Sequence, residues 1–312
     1  AKYGGKLSLD ADGGYSGVFA ERTNPENLLT IAFLPGYYGQ GVTHRADVFF
    51  RPSGDGKYHS NATVYGAFGP TSELVDSYEM ADGKEFSWTL NGNDPYKGRE
   101  PRFYASILYN GADWEGRKIE TFAGGEDGIA EFKTQGTASS SVTGYYLRKW
   151  ITEDDKTWDK NSSSHFAIMI RFAEVLLNKA EAYAELGNLT KALECLNEVR
   201  SRVELPARTA SDKDGFMKLL RHERMVELAG EGFRYWDLRR WRLADGDNGY
   251  IDGKQAHGTR ITKDAETGKL TYSQVEVDAG MTRLFYSRFY LFSLPVTERS
   301  NNKALGDNNP GW

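Results

Sequence analysis

The chain has 312 residues, of which 39% are hydrophobic and 27% charged, with a formal net charge of -5. That balance belongs to an ordinary globular protein with room for one large domain or two moderate ones. It is too acidic to point to nucleic acid, and no apolar run is long enough for a membrane-spanning helix. A single cysteine, Cys195, excludes an intrachain disulfide; set beside Leu193 and Leu196 in a helical run, it reads as a buried, inert thiol. The 18 Tyr and 7 Trp exceed what a plain core needs, and exposed rings are platforms for flat apolar ligand faces.

In chain order, residues 1–60 are rich in Gly, Asp and Asn. Within them Leu28–Leu34 reads as a buried strand closed by Pro35-Gly36, and Ala46–Phe50 as a weaker strand. Pro70–Met80 reads as a short helix capped by Thr71 or Ser72. Arg102–Tyr109 reads as a strand running into the Asn110-Gly111 turn, Gly124–Ser141 as a long loop and Tyr145–Ile151 as a further short strand. Phe166–Leu186 places Ile170, Ala173, Leu177, Ala180 and Ala184 at helical spacing. Gly187-Asn188 ends that helix, a second one follows with Ala192, Leu193, Leu196 and Val199 on one side, and Pro206 closes the pair. This is the pattern of one tetratricopeptide hairpin, and a lone hairpin needs a neighbour.

The neighbour predicted for it is Leu219–Trp241, LLRHERMVELAGEGFRYWDLRRW. Its charges recur three apart, as Arg224 and Glu227, Glu231 and Arg234, Arg234 and Asp237, Asp237 and Arg240, which places pairs on one helix face. Leu219, Val226 and Phe233 recur every seventh residue, with Trp236 close to that stripe. Gly230 and Gly232 either break the helix or mark a close approach. The expectation is that Arg224, Glu227, Glu231 and Arg234 form a buried, mutually paired structural network. Residues 244–280 then read as loops with turns at Asp245-Gly246, Asp252-Gly253 and Thr267-Gly268, and Arg288–Pro295 as a buried strand or extended segment.

No phosphate-binding glycine loop, nucleophile elbow or HExxH occurs, and the five histidines lack metal-ligand spacing. Asp245 and Asp247, like Asp10 and Asp12, faintly resemble calcium loops but lack the closing glutamate, so no metal and no cofactor is expected. Large aromatics in predicted loops are the better lead. Tyr37, Tyr38, Trp88 and Trp114 fall there, and Asn110, Asp113 and Arg117 lie close to Trp114 in sequence. A Trp face stacked on a pyranose ring buries apolar C–H surface and leaves the hydroxyls to such polar neighbours. The candidate carbohydrate-binding residues are therefore Trp88, Trp114, Tyr37, Tyr38, Asn110 and Asp113, with no catalytic residue.

PTSELVDSYEMADG, DPYKGREPRFYASILYNG, RFAEVLLNKAEA with ALECLNEVRSR, RHERMVELAGEGFRYWDLRRW, and YLFSLPVTE with NNPGW together resemble the SusD/RagB family of surface glycan-binding lipoproteins of Bacteroidetes. Glu100 stands where that family more often has Asp. The resemblance implies a mostly helical fold with tetratricopeptide-like hairpins, a loop-rich part and few short strands. It divides the chain into a loop-rich glycan-binding part at 1–164, a helical part at 165–243 and a loop-rich segment at 244–312 that packs back on the fold. It also implies a non-enzyme on the outer-membrane surface that binds oligosaccharide and passes it to a SusC-like TonB-dependent transporter. Members are longer and carry an amino-terminal lipid. This chain opens AKYGGKLSLD without Met, signal peptide or lipidation site, so it reads as the carboxyl-terminal part of such a protein. The rival readings are a helical-repeat adaptor for protein ligands and a glycoside hydrolase.

Overall fold

The computed structural model describes residues 14–33, 44, 46–58, 64–89, 94–128, 140–151, 153, 165–247, 249–278 and 280–312. In chain order these form α1 (Gly14–Ala20), β1 (Asn27–Ile31), α2 (Ala46–Phe50), α3 (Ser72–Ser77), α4 (Pro101–Ser106), β2 (Ile107–Leu108), β3 (Asp113–Trp114), β4 (Arg117–Lys118), β5 (Tyr146–Leu147) and β6 (Ala167–Arg171). Then follow α5 (Phe172–Glu185), α6 (Leu189–Ser201), α7 (Lys213–Glu227), α8 (Phe233–Arg240), β7 (His257–Lys263), β8 (Leu270–Glu276) and α9 (Val296–Asn301). The described strands pair only as antiparallel two-stranded ladders, β1 with β6, β2 with β5, β3 with β4 and β7 with β8. The fold is mostly helical with few short strands, as the family resemblance implies.

The helical hairpin is α5 and α6. Gly187 takes a left-handed φ of 75° at the corner, where only glycine sits without strain, and Asn188 caps α6 by accepting from the Lys191 amide at 3.2 Å. Ala173, Leu177, Ala180, Ala192, Leu196 and Val199 are buried between the two helices. The third wall is α7, which adds Phe216, Met217 and Leu220 to the same core. Cys195 lies in that core, and burial raises its thiol pKa. The chain breaks after α7 at Gly230 and Gly232, with φ of 74° and 84°. A β-carbon on Gly230 would also sit 3.0 Å from Leu147, so this glycine answers to both a turn and a close approach. Trp236, by contrast, is 54% exposed and does not extend the buried stripe.

The charges of α7 are buried as expected but are not paired with one another. Arg224 and Glu227 are 4% and 0% exposed, yet Arg224 bonds Asp237 at 2.8 and 3.1 Å. Glu227 meets Arg102 of α4 at 2.8 Å, Arg171 at the end of β6 at 2.7 Å, and Arg202 just after α6. Glu231 bonds Lys149 and Arg171. Arg234 is half-buried and lies over the Tyr250 ring at 4.6 Å. Of the four three-apart pairs, only Asp237 with Arg240 forms, at 2.8 Å. The reason is the fold around the helix. A buried carboxylate needs several donors, and neighbouring elements bring planar guanidinium forks to it. The network continues through Arg102 to Glu223 at 2.5 Å and Glu100 at 2.7 Å, and through Arg200 to Glu223 and Glu79.

Burial alone would raise the Glu227 carboxyl. Arg202, Arg171 and Arg102 outweigh it and hold the group well below the usual carboxylate range. Burial wins at Glu100, whose pKa is raised despite Arg102. It also lowers Lys149 to about 8 against the pull of Glu231.

Several predicted strands are helical or differently placed. Residues 102–106 belong to α4, because Pro101 pre-sets the first helical turn, and only Ile107 and Leu108 are extended. Ala46–Phe50 is a helix. Residues 167–171 form β6 ahead of α5, so the helix starts at Phe172 and not at Phe166. β1 exists, but Leu28, Leu29 and Ile31 are exposed, as are Met169 and Ile170 of its partner. The segment 244–280 is not all loop. β7 and β8 form a seven-pair hairpin from His257 opposite Glu276 to Lys263 opposite Leu270, turning at Gly268. Residues 287–290 are a 3₁₀ turn, and Leu291 and Phe292 after it are exposed rather than buried.

Glu227→Gln should cost about 3–5 kcal/mol of stability, since it leaves buried guanidinium groups facing one another. Urea denaturation at neutral pH is the check, and a loss below about 1 kcal/mol would show that the network does not hold the fold. The sign with pH follows from the lowered pKa. The stabilisation is complete above the unfolded carboxylate range and is lost as pH falls through the folded value. The gap between wild type and variant should therefore close in acid.

Candidate binding site

The segment 94–111 builds the site on α4. Asp94 accepts from the Tyr96 amide at 3.1 Å, a side-chain turn that sets the direction of the loop. Arg99 is buried and donates to the carbonyls of Val75, Tyr78 at 2.9 Å and Pro95 at 3.2 Å. Its guanidinium lies 3.9 Å from the Phe86 ring centre and 4.6 Å from that of Phe103. The Tyr104 hydroxyl accepts from the Arg99 amide at 3.0 Å and donates to the Tyr96 carbonyl at 2.7 Å. The loop is thus held from several sides, and Arg102 ties α4 below it to Glu223 and Glu227 of α7.

A row of aromatic rings runs across this frame. Tyr96 lies 4.5 Å from Tyr109 and 5.8 Å from Tyr272, and Tyr272 lies 6.5 Å from Trp88. Phe86 backs Trp88 edge-on at 5.6 Å. Tyr96 is buried beneath the row, whereas Trp88, Tyr109 and Tyr272 are half-buried. Tyr272 arrives from β8. It stands opposite Ile261, which is fully buried, and paired residues on an antiparallel ladder share a face, so the ring turns toward the body. The hairpin is docked by Thr259, whose hydroxyl pairs with that of Tyr145 at 2.8 Å and whose amide donates to the Thr143 carbonyl at 2.9 Å.

Trp88 fits this row. Its indole donates to Asp76 at 3.0 Å, which fixes the ring. Trp114 does not: it is 1% exposed and packs with Leu108, Ala112, Ile119, Tyr146 and Ile151. Its indole nitrogen donates to Asp55 at 3.0 Å. A ring with no free face cannot stack on a ligand, so the expected role of Trp114 is corrected to a core anchor. The tight β3–β4 turn folds it inward, beside a buried cluster in which Arg117 bridges Asp55 and Asp127, both at 2.7 Å. Asn110 is likewise turned inward, with its carbonyl accepting from the Thr121 amide at 3.0 Å. Asp113 is exposed and paired with Lys118 at 2.6 Å. Tyr37 and Tyr38 lie outside the described residues, as do Asp10 and Asp12.

Sequence reasoning missed Tyr272, Tyr109, Tyr96 and Asp94. For Tyr272 the signal was present in the alternation of LTYSQVE after the Thr267-Gly268 turn. A second aromatic concavity of about 500 Å³ lies between Trp236, Arg239, Arg242, Tyr290 and Phe292, with Arg239 4.3 Å from the Phe292 ring centre. Asp245, one of the calcium-loop aspartates, is used there by the hydroxyls of Tyr290 at 2.5 Å and Ser287 at 2.7 Å. Among the described residues no group of His, Cys, Asp and Glu could hold a metal ion.

A helical hairpin walled by a third helix, with loop-borne aromatic rings beside it, is the arrangement these elements form. The chain belongs to the SusD family, whose sequence model matches residues 25–312. It is similar to a SusD-like protein of Bacteroides fragilis, with 26% identity, a TM-score of 0.76 and coverage of 100% of this chain and 59% of that one. A SusD-like carbohydrate binding protein of the same species aligns at 25% identity with a TM-score of 0.75 over 96% of this chain and 58% of that one. A SusD-like protein of Formosa agariphila is 39% identical over 95 residues, 28% of this chain and 19% of that protein. The chain thus spans less than two thirds of the length of these relatives.

Trp114→Ala should cost about 3–5 kcal/mol, from lost burial and the cavity it leaves, with Asp55 losing a donor. Chemical denaturation reads this directly. A loss below about 1 kcal/mol would put the ring at the surface.

Proposed function

We propose that this chain binds oligosaccharide at the row Trp88, Tyr272 and Tyr109, as a non-catalytic component of a nutrient-uptake complex. The observation that carries the reading is the row itself: three half-buried rings from three separate segments, linked through Tyr96 and set on a frame held by a buried ion network and a docked hairpin. Sugar rings present flat C–H faces, and stacking them on fixed aromatic faces buries apolar area at little entropic cost. Asp94, which is exposed, supplies an acceptor for ring hydroxyls. The relative from Bacteroides fragilis described as carbohydrate binding supports the ligand class.

In this reading the protein works at the outer-membrane surface, held there by a lipid on the protein's amino-terminal side, and passes the bound saccharide to a SusC-like TonB-dependent transporter. Binding without hydrolysis suits that role.

Calorimetry against a panel of oligosaccharides tests the site. Trp88→Ala and Tyr272→Ala should each weaken binding about tenfold, equivalent to about 1.4 kcal/mol, with the fold intact by circular dichroism. Unchanged affinity in the double variant would place the sugar elsewhere, and release of reducing ends during the titration would make the protein a hydrolase.

A further inference from the structure

The row carries a charge pattern that bears on which saccharides it can take. Asp94 lies on the loop that carries Tyr96. Two residues on, the Tyr96 ring bridges Tyr109 and Tyr272, and the Asp94 carboxylate is tied by one oxygen to the Tyr96 amide. Asp94 is exposed, and among the described residues no donor reaches its second oxygen. The other carboxylates near the row are engaged. Asp113 is balanced by Lys118 at 2.6 Å, and Asp76 holds the Trp88 indole at 3.0 Å with its other oxygen buried away from the surface. The nearby guanidiniums are spent on protein groups: Arg99 on three carbonyls, and Arg148 on Glu153 at 2.7 Å.

Both tyrosine hydroxyls that flank the row sense this charge. Tyr109 is pushed up to about 12 by burial, then by Tyr104, Asp94 and Asp113. Tyr272 is raised by burial and by Asp94.

We propose that Asp94 makes this row selective for uncharged saccharides, its free oxygen accepting from ring hydroxyls while the carboxylate repels uronate and sulfate groups. An ionised carboxylate is an acceptor only, so it suits a pair of hydroxyls. A second anion brought beside it onto an apolar surface is repelled by the carboxylate. The inference rests on the reading of the row as the saccharide site.

The test uses the neutral oligosaccharide that binds tightest in the panel and the same compound oxidised to the uronate at one C6. At low salt the oxidised form should bind wild type at least about tenfold more weakly, and the penalty should shrink in high salt as screening sets in. Asp94→Asn keeps the acceptor for the Tyr96 amide. It should weaken neutral binding several-fold and bring the oxidised form to within roughly threefold of the neutral one. Equal binding of the two forms by wild type, or a penalty unchanged in Asp94→Asn, overturns the proposal while leaving the site reading intact. If no neutral oligosaccharide binds at all, the site reading fails and this inference with it.

Discussion

A buried carboxylate with no water must be surrounded by donors, and Glu227 meets that requirement with arginines from three different elements. Arg102 comes from α4, Arg171 from the end of β6 and Arg202 from the end of α6. Each of these segments is thereby fixed to the same point on α7. Removing any one of them would strand charge in a low-dielectric interior, which costs far more than the pair contributes when complete. The network therefore acts as a register for the fold: the helical hairpin, the β1–β6 ladder and the loop-bearing helix α4 are held in one arrangement.

That constraint reaches the aromatic row through the two arginines of GREPRF. They are three residues apart and do different work. Arg102 points into the ion network under α4, while Arg99 points away and satisfies backbone carbonyls of the loop and of the α3 region. Between them sits Glu100, which closes the network on Arg102 at 2.7 Å. The loop that carries Asp94 and Tyr96 is consequently anchored at both levels. A rigid frame of this kind suits stacking, since rings already in place lose little freedom when a ligand arrives. The β7–β8 hairpin then completes the row from a segment far away in sequence.

Much of the helical part was legible. The three-four spacing of Ala173, Leu177, Ala180 and Ala184, the Gly187-Asn188 corner and the paired glycines 230 and 232 are local signals, and the structure follows them. What could not be read was the choice of partners. Spacing along α7 suggests Arg224 with Glu227, but tertiary neighbours replace local pairs when the helix is enclosed. The strand read at 102–109 failed because its apolar alternation also suits a short helix behind Pro101. Trp88 and Trp114 looked equivalent, each beside a turn. One is held by Asp76 at the surface and the other is folded inward by the β3–β4 turn onto Asp55, a difference set by contacts some 12 and 59 residues away. Tyr272 depends on a hairpin whose docking surface, Thr143 and Tyr145, lies more than a hundred residues earlier.

The central claim is that the row on the anchored α4 frame is where a saccharide sits. Hydrogen–deuterium exchange of the chain with and without a bound neutral oligosaccharide addresses it most directly. The account predicts slowed exchange confined to residues 86–89, 94–113 and 270–276, with α5, α6 and α7 unchanged. Protection centred instead on Trp236 and Phe292, with the row unaffected, would contradict it.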